Sequence, residues 1–201
     1  MFQFKIKLRG ISKPTVWRRV LVPENYTFLD LHYIIQTVFG WQNCHLFQFA
    51  EDIYKNNMKV IALPYEDNIF GENEHIIDAS KTELSTIFYE EGRQYAYVYD
   101  FGDDWIHDIT LEKITDDEYE FPKCIGGKSY TPPENCGGVP GYEMLKHRAL
   151  YGPHDKEFRD MLKFFDIYEY ELFDSRAINK GEMKMSDDVL VKIFTELHKK
   201  K

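Results

Sequence analysis

The stretch Arg93–Ile114, RQYAYVYDFGDDWIHDITLEKI, decides the fold. In its first half Tyr95, Tyr97, Tyr99 and Phe101 occupy every second position, and in its second half Trp105, His107, Ile109 and Leu111 do the same. A period of two puts alternate side chains on opposite faces of a strand. Gly102-Asp103-Asp104 between the two runs is turn chemistry, so the segment reads as an antiparallel hairpin. Which faces of the two strands coincide depends on the register of the loop, and the period alone leaves that open.

The same reasoning extends outward. Phe2, Phe4, Ile6 and Leu8 alternate with Gln3, Lys5, Lys7 and Arg9, which predicts a half-buried strand. Gly10 to Pro14 is a turn, and Val16 to Val22 is the returning strand, ended by Pro23. Thr27 can cap a helix from Phe28 to Phe39 that Gly40 closes, with Phe28, Leu31, Ile35 and Val38 on one stripe. His45 to Glu51 and Lys59 to Leu63 read as two further strands joined through a turn at Asn56-Asn57, and Thr82 to Tyr89 as a short helix. Lys123 to Gly141 is rich in Gly and Pro, has no period, and reads as a long loop of the kind that carries function. Helices follow at Tyr142 to Leu150, Asp155 to Phe165 and Asp187 to Lys199, the last capped by Ser186. The expected fold is therefore α+β: a mostly antiparallel sheet with hairpins, one N-terminal helix packed on it, and C-terminal helices. One domain is expected over 1–201, with a core over 1–165 and a helical extension over 166–201.

Composition narrows the function. Of the 201 residues 43% are hydrophobic and 16% aromatic, enough for a packed interior. The net charge of -9 repels a phosphate backbone on average, which disfavours nucleic acid as a partner. Against that average, Lys5, Lys7, Arg9, Arg18 and Arg19 cluster in the acid-free first hairpin and are the candidates for a phosphate or acidic partner. The alternation at the start is not the apolar run of a signal peptide, and no stretch reaches the length of a membrane span. Cys44, Cys124 and Cys136 are an odd set that argues against a disulfide framework, so a cytoplasmic location is expected.

Unusual polar residues gather in two places. Carboxylates crowd the turn of Tyr99-Asp100-Phe101-Gly102-Asp103-Asp104-Trp105, with the imidazole of His107 two residues beyond. Neighbouring carboxylates would raise the pKa of such an imidazole. The second place is Pro132-Pro133-Glu134-Asn135-Cys136-Gly137-Gly138, where two prolines stiffen the chain around a carboxylate and paired glycines permit close backbone approach. Read plainly, these are turn and loop residues; read functionally, Tyr99, Asp100, Asp103, Trp105, His107, Glu134 and Tyr142 line a ligand pocket. His107, Cys124 and Cys136 are of the type that bind zinc, yet no C-x-x-C pair is present and the pattern specifies no metal. No cofactor is specified, and His32 and His45 read as structural histidines.

Trp17-Arg18-Arg19, Leu31-His32, Gly40-Trp41, His45-Leu46, Tyr99-Asp100-Phe101-Gly102-Asp103 with Trp105 and His107, and Pro132-Pro133-Glu134 with Cys136-Gly137-Gly138 and Gly141-Tyr142 together resemble the plasmid pRiA4b ORF-3-like family over residues 2 to 165. The resemblance implies a compact α+β fold. Some members carry the label of insertion-sequence passenger or resolvase-like proteins, which implies a mobile-element association. A serine recombinase needs a nucleophilic Ser in an Arg-bearing strand–loop motif, and Ser12 has no such context. Where the family loop has a Cys before Pro-Pro-Glu and an Asp after it, this chain has Thr131 and Asn135. Three functions remain open: first a module binding a small-molecule or peptide ligand, then a metal-dependent hydrolase-like enzyme at the same cluster, then a nucleic-acid accessory protein working through the basic hairpin.

Overall fold

The computed structural model describes residues 1–165, apart from 13, 56–57 and 66–71. The helix expected over Asp187–Lys199 and the turn at Asn56-Asn57 lie outside the described residues.

Eight strands form one sheet in the order β5-β4-β3-β6-β7-β1-β2-β8. They are β1 (Phe2–Leu8), β2 (Trp17–Val22), β3 (Phe47–Ala50), β4 (Val60–Ala62), β5 (Ile76–Asp78), β6 (Gln94–Tyr99), β7 (Trp105–Ile114) and β8 (Lys123–Lys128). Every pairing is antiparallel except that of β4 with β5. The fold is the mixed α+β class expected from the sequence, with helices α1 (Phe28–Phe39), α2 (Gly138–Tyr151) and α3 (Lys156–Phe164).

The register of the β6–β7 hairpin pairs Tyr99 with Trp105, Tyr97 with His107 and Tyr95 with Ile109. Side chains directly opposite each other share a face. The tyrosine row and the Trp-His-Ile row therefore coincide, and β1 adds Leu8 opposite His107 and Ile6 opposite Ile109. That shared face is the core, and α1 covers it. Thr27 and Asp30 close a reciprocal capping box at the start of α1, and Gly40 ends it in the left-handed region at φ 75°. Phe28 of α1 meets Phe49 edge-on with centroids 5.1 Å apart, and the His32 ring stacks on Phe47 at 3.7 Å.

Two expectations are corrected. The stretch Lys123–Gly141 is not all loop: Lys123–Lys128 forms β8 on β2, and α2 begins at Gly138. The segment near Thr82 makes only a short 3-10 helix, Leu84–Thr86. No helix among the described residues is long and apolar enough to cross a membrane.

Candidate functional site

The hairpin loop is built by its first residue. Asp100 sits in the left-handed region at φ 58°, a conformation Asp tolerates better than most residues because its short side chain bonds locally. Its Oδ1 accepts the backbone N–H of Gly102 at 2.9 Å and of Asp103 at 3.3 Å, and its carbonyl accepts that of Asp104 at 2.7 Å. The loop is thereby fixed, and the other Asp100 oxygen turns toward His45.

The Pro-Pro-Glu loop closes on this hairpin. Tyr99 donates its hydroxyl hydrogen bond to Glu134 Oε1 at 2.5 Å. Glu134 Oε2 accepts from the Gln42 N–H at 3.1 Å, and the Tyr99 oxygen accepts from the Cys44 N–H at 3.0 Å. Trp41 stacks on Tyr99 and donates its indole N–H to the Pro132 carbonyl at 3.0 Å. Asp103 Oδ2 accepts from Gly137 N–H at 3.2 Å. A Cβ on Gly138, which lies at φ 64°, would collide with the Asp103 carbonyl, so the close approach of loop to hairpin requires glycine there. The His45 Nε2 lies 3.1 Å from Asn135 Oδ1 and 3.4 Å from Asp100 Oδ2. Three distant segments, 41–45, 99–103 and 132–138, thus form one clasp. Burial and the Glu134 carboxylate hold the Tyr99 phenol well above its ordinary pKa, so it stays a donor.

The proposed pocket residues divide. Tyr99, Asp100, Asp103 and Glu134 meet in the clasp. Trp105 and His107 are fully buried on the core face, and Tyr142 is buried on α2. His107 packs edge-on against Phe39 at 4.8 Å and Trp41 at 5.2 Å and donates from Nδ1 to the Trp105 carbonyl at 3.1 Å. Desolvation pushes its pKa down to about 3, the reverse of the rise expected from neighbouring carboxylates. Cys124 and Cys136 are each within reach of a nearby backbone carbonyl, of Gly126 and Gly138. Burial raises both thiols, that of Cys136 to about 12, which disfavours the thiolate that ligates zinc. Among the described residues no three His, Cys, Asp or Glu side chains group as a metal shell.

The basic hairpin also divides. Arg18 lies opposite Ile6 on the core face and is 1% exposed. It donates to the carbonyls of Val38 at 2.8 Å, Trp17 at 2.8 Å and Lys128 at 3.1 Å, and to Thr131 Oγ1 at 3.2 Å. Burial pushes its pKa down to about 10, still charged at neutrality. It ties α1 to β8 and is closed to an outside partner. On the outer face Arg9 pairs with Asp108 and Arg19 with Glu112. Lys5 sits over the Trp17 ring, and Lys7 is exposed.

Beside the clasp opens a cavity of about 560 Å³ between α1, the chain from Asn43 to Gln48, strand β4, and Tyr65 and His75. Two of its lining residues, His32 and Asn43, end a hydrogen-bonded relay that runs behind the wall. Gln36 Nε2 donates to the Tyr97 hydroxyl at 3.0 Å, Tyr97 lies 2.8 Å from His32 Nδ1, and His32 Nε2 lies 2.7 Å from Asn43 Oδ1. Desolvation pushes His32 down to about 4, so it is neutral. Its rim carries Leu46, Leu63, Tyr65 and Phe101, all exposed. His45, which reads as a structural histidine in the sequence, borders both clasp and cavity. Its only signal was its place in the His45-Leu46 pair, since nothing in one dimension joins position 45 to 100 and 135.

The fold has a likeness among solved structures. One is the crystal structure of the protein of unknown function MM3350 from Methanosarcina mazei Go1, which is 33% identical to this chain. It superposes with a TM-score of 0.68, covering 88% of this chain and 96% of the other. The uncharacterized protein y4hQ of Sinorhizobium fredii (strain NBRC 101917 / NGR234) is 30% identical over 193 residues, 94% of this chain and 92% of the relative. The family model described as Plasmid pRiA4b ORF-3-like protein matches residues 1–180, and the chain belongs to that family.

Proposed function

We propose that the protein is a binding module whose ligand occupies the cavity beside the clasp. The observation that carries this reading is the junction at His45, where a concavity of about 560 Å³ meets a polar cluster drawn from three distant segments. Its size is that of a site for a small organic molecule, and its mostly apolar wall with a few fixed polar groups is the usual make-up of such sites. The clasp itself holds the rim. Both Glu134 oxygens and Asp100 Oδ1 accept hydrogen bonds from the protein, so these carboxylates serve geometry first and chemistry second. Hydrolysis at the clasp is the weaker reading for that reason, and a nucleic-acid role is weaker because Arg18 is buried and Arg9 and Arg19 are paired.

The test is a screen of neutral, anionic and cationic aromatic fragments against the full chain by NMR. Hits are expected to shift resonances of Tyr33, His45 and Val60, which line the cavity. A Val60→Trp variant with a native-like spectrum should lose them. Hits that map elsewhere and survive Val60→Trp would overturn the reading.

A further inference from the structure

The charge and hydrogen-bond inventory of the cavity narrows its ligand. Charged residues make up 29% of the chain, yet none of the described residues lining the cavity is Asp, Glu, Lys or Arg. A charge set against these described walls would meet no carboxylate, ammonium or guanidinium of theirs to replace its lost hydration. The walls are mostly aliphatic and aromatic, with Leu29, Tyr33, Phe47 and Val60 among them. His32, the innermost imidazole, is used on both nitrogens by Tyr97 and Asn43.

His45 differs. Its Nε2 faces two oxygens, Asn135 Oδ1 at 3.1 Å and Asp100 Oδ2 at 3.4 Å. A carboxylate oxygen only accepts, so Nε2 carries the hydrogen, and in the neutral ring Nδ1 is left with a lone pair. Asp100 cannot readily turn away, because its other oxygen is held by the Gly102 and Asp103 amides. The clasp therefore fixes the tautomer of a cavity-lining imidazole.

We infer that the cavity takes an uncharged ligand with a flat apolar body and one hydroxyl or N–H group, which it donates to His45 Nδ1. The apolar walls hold the body, and the lone pair on the rim orients it. This rests on the binding reading above and adds to it the ligand's class and the residue that selects it. His45 acts here as a recognition residue and Asp100 as the residue that positions it.

Three probes on one ring system test it on the full chain by calorimetry and NMR: a naphthol, its methyl ether and the matching naphthoate. The naphthol is expected to bind at least about fivefold tighter than the ether, the worth of one hydrogen bond. It is expected to bind at least about tenfold tighter than the naphthoate, whose charge meets no Lys or Arg among the described walls. His45→Phe should erase the preference for naphthol over ether, bringing the two affinities within about twofold of each other. A naphthoate that binds as tightly as the naphthol, or a preference that survives His45→Phe, overturns the ligand class and leaves the binding reading standing. If no probe shifts a cavity resonance, both fall. The comparison of the three probes on the unaltered protein decides the class even if His45→Phe does not fold.

Discussion

Tyr99 and Glu134, 35 positions apart in the chain, share a 2.5 Å hydrogen bond that joins the β6–β7 hairpin to the Pro-Pro-Glu loop. The same tyrosine oxygen accepts from Cys44 N–H, and the same carboxylate accepts from Gln42 N–H. One phenol and one carboxylate thus fasten three segments. Tyr99→Phe should destabilise the protein by about 1–2 kcal/mol, because it strips a partner from both neighbours. Glu134→Gln should cost a similar amount, and the double variant should show a coupling of about 1 kcal/mol in urea unfolding. Additive single effects would mean that the two side chains do not act as a unit.

Gly138 is where the loop comes closest to the hairpin. A methyl group there meets the Asp103 carbonyl, and the residue's φ of 64° is itself unfavourable for Ala. Gly138→Ala is expected to cost at least about 2 kcal/mol and to shift the Asp103 and Gly137 amides in the NMR spectrum. Gly92 has a similar φ of 86° but open space around it, so Gly92→Ala should cost only the backbone term of about 1 kcal/mol. Equal costs at the two positions would remove the steric argument.

Much of this architecture is legible in one dimension wherever a local rule suffices. Phe2 to Leu8 announces β1 by its period, and Thr27 and Gly40 fix both ends of α1 by capping chemistry. Lys123–Lys128 is illegible because Gly126 and Gly127 break the period. Gly127 answers to the neighbouring strand, since a Cβ there would press on Arg18 Cδ at 3.0 Å. Strand β5 is three residues long, too short for a pattern, and exists by pairing with β4. In the candidate site, the polar turn and the Pro-Pro-Glu loop stand out by composition. That His107 turns inward while His45 turns to the cavity follows from hairpin register and long-range contact, which composition does not carry.

Arg18 separates a structural from a nucleic-acid role for the basic hairpin. Its guanidinium satisfies carbonyls on α1, β2 and β8 at once, which the point charge of a lysine cannot match. Arg18→Lys should cost at least about 2 kcal/mol, and Arg18→Met about 3–5 kcal/mol by leaving buried carbonyls unpaired. Lys7→Glu, on the exposed face, should stay within about 0.5 kcal/mol. Fluorescence anisotropy with a DNA duplex at low salt supplies the second readout. Tight binding that Lys5→Glu and Lys7→Glu abolish would revive the nucleic-acid role.

The buried histidines give the protein a defined response to acid. In the folded state burial pushes His107 down to about 3 and His32 down to about 4, whereas an unfolded-chain histidine titrates near about 6.5. Between those values the unfolded chain binds protons that the folded chain refuses, so stability falls as pH falls through that window. It is fully present above about pH 6.5, and each imidazole contributes a slope approaching about 1.4 kcal/mol per pH unit. Urea unfolding from pH 7.5 down to about 4.5 is expected to show this decline. His107→Phe, whose ring can occupy the same edge-on site against Phe39 and Trp41, should remove about half of the histidine-linked slope without removing a hydrogen bond of the clasp. His32→Phe removes the other half but also strips Asn43 and Tyr97 of their partner, so it should lower stability at every pH as well. An unchanged slope in His107→Phe would mean that the imidazole is protonated or solvated in the folded protein, contrary to its burial in the core.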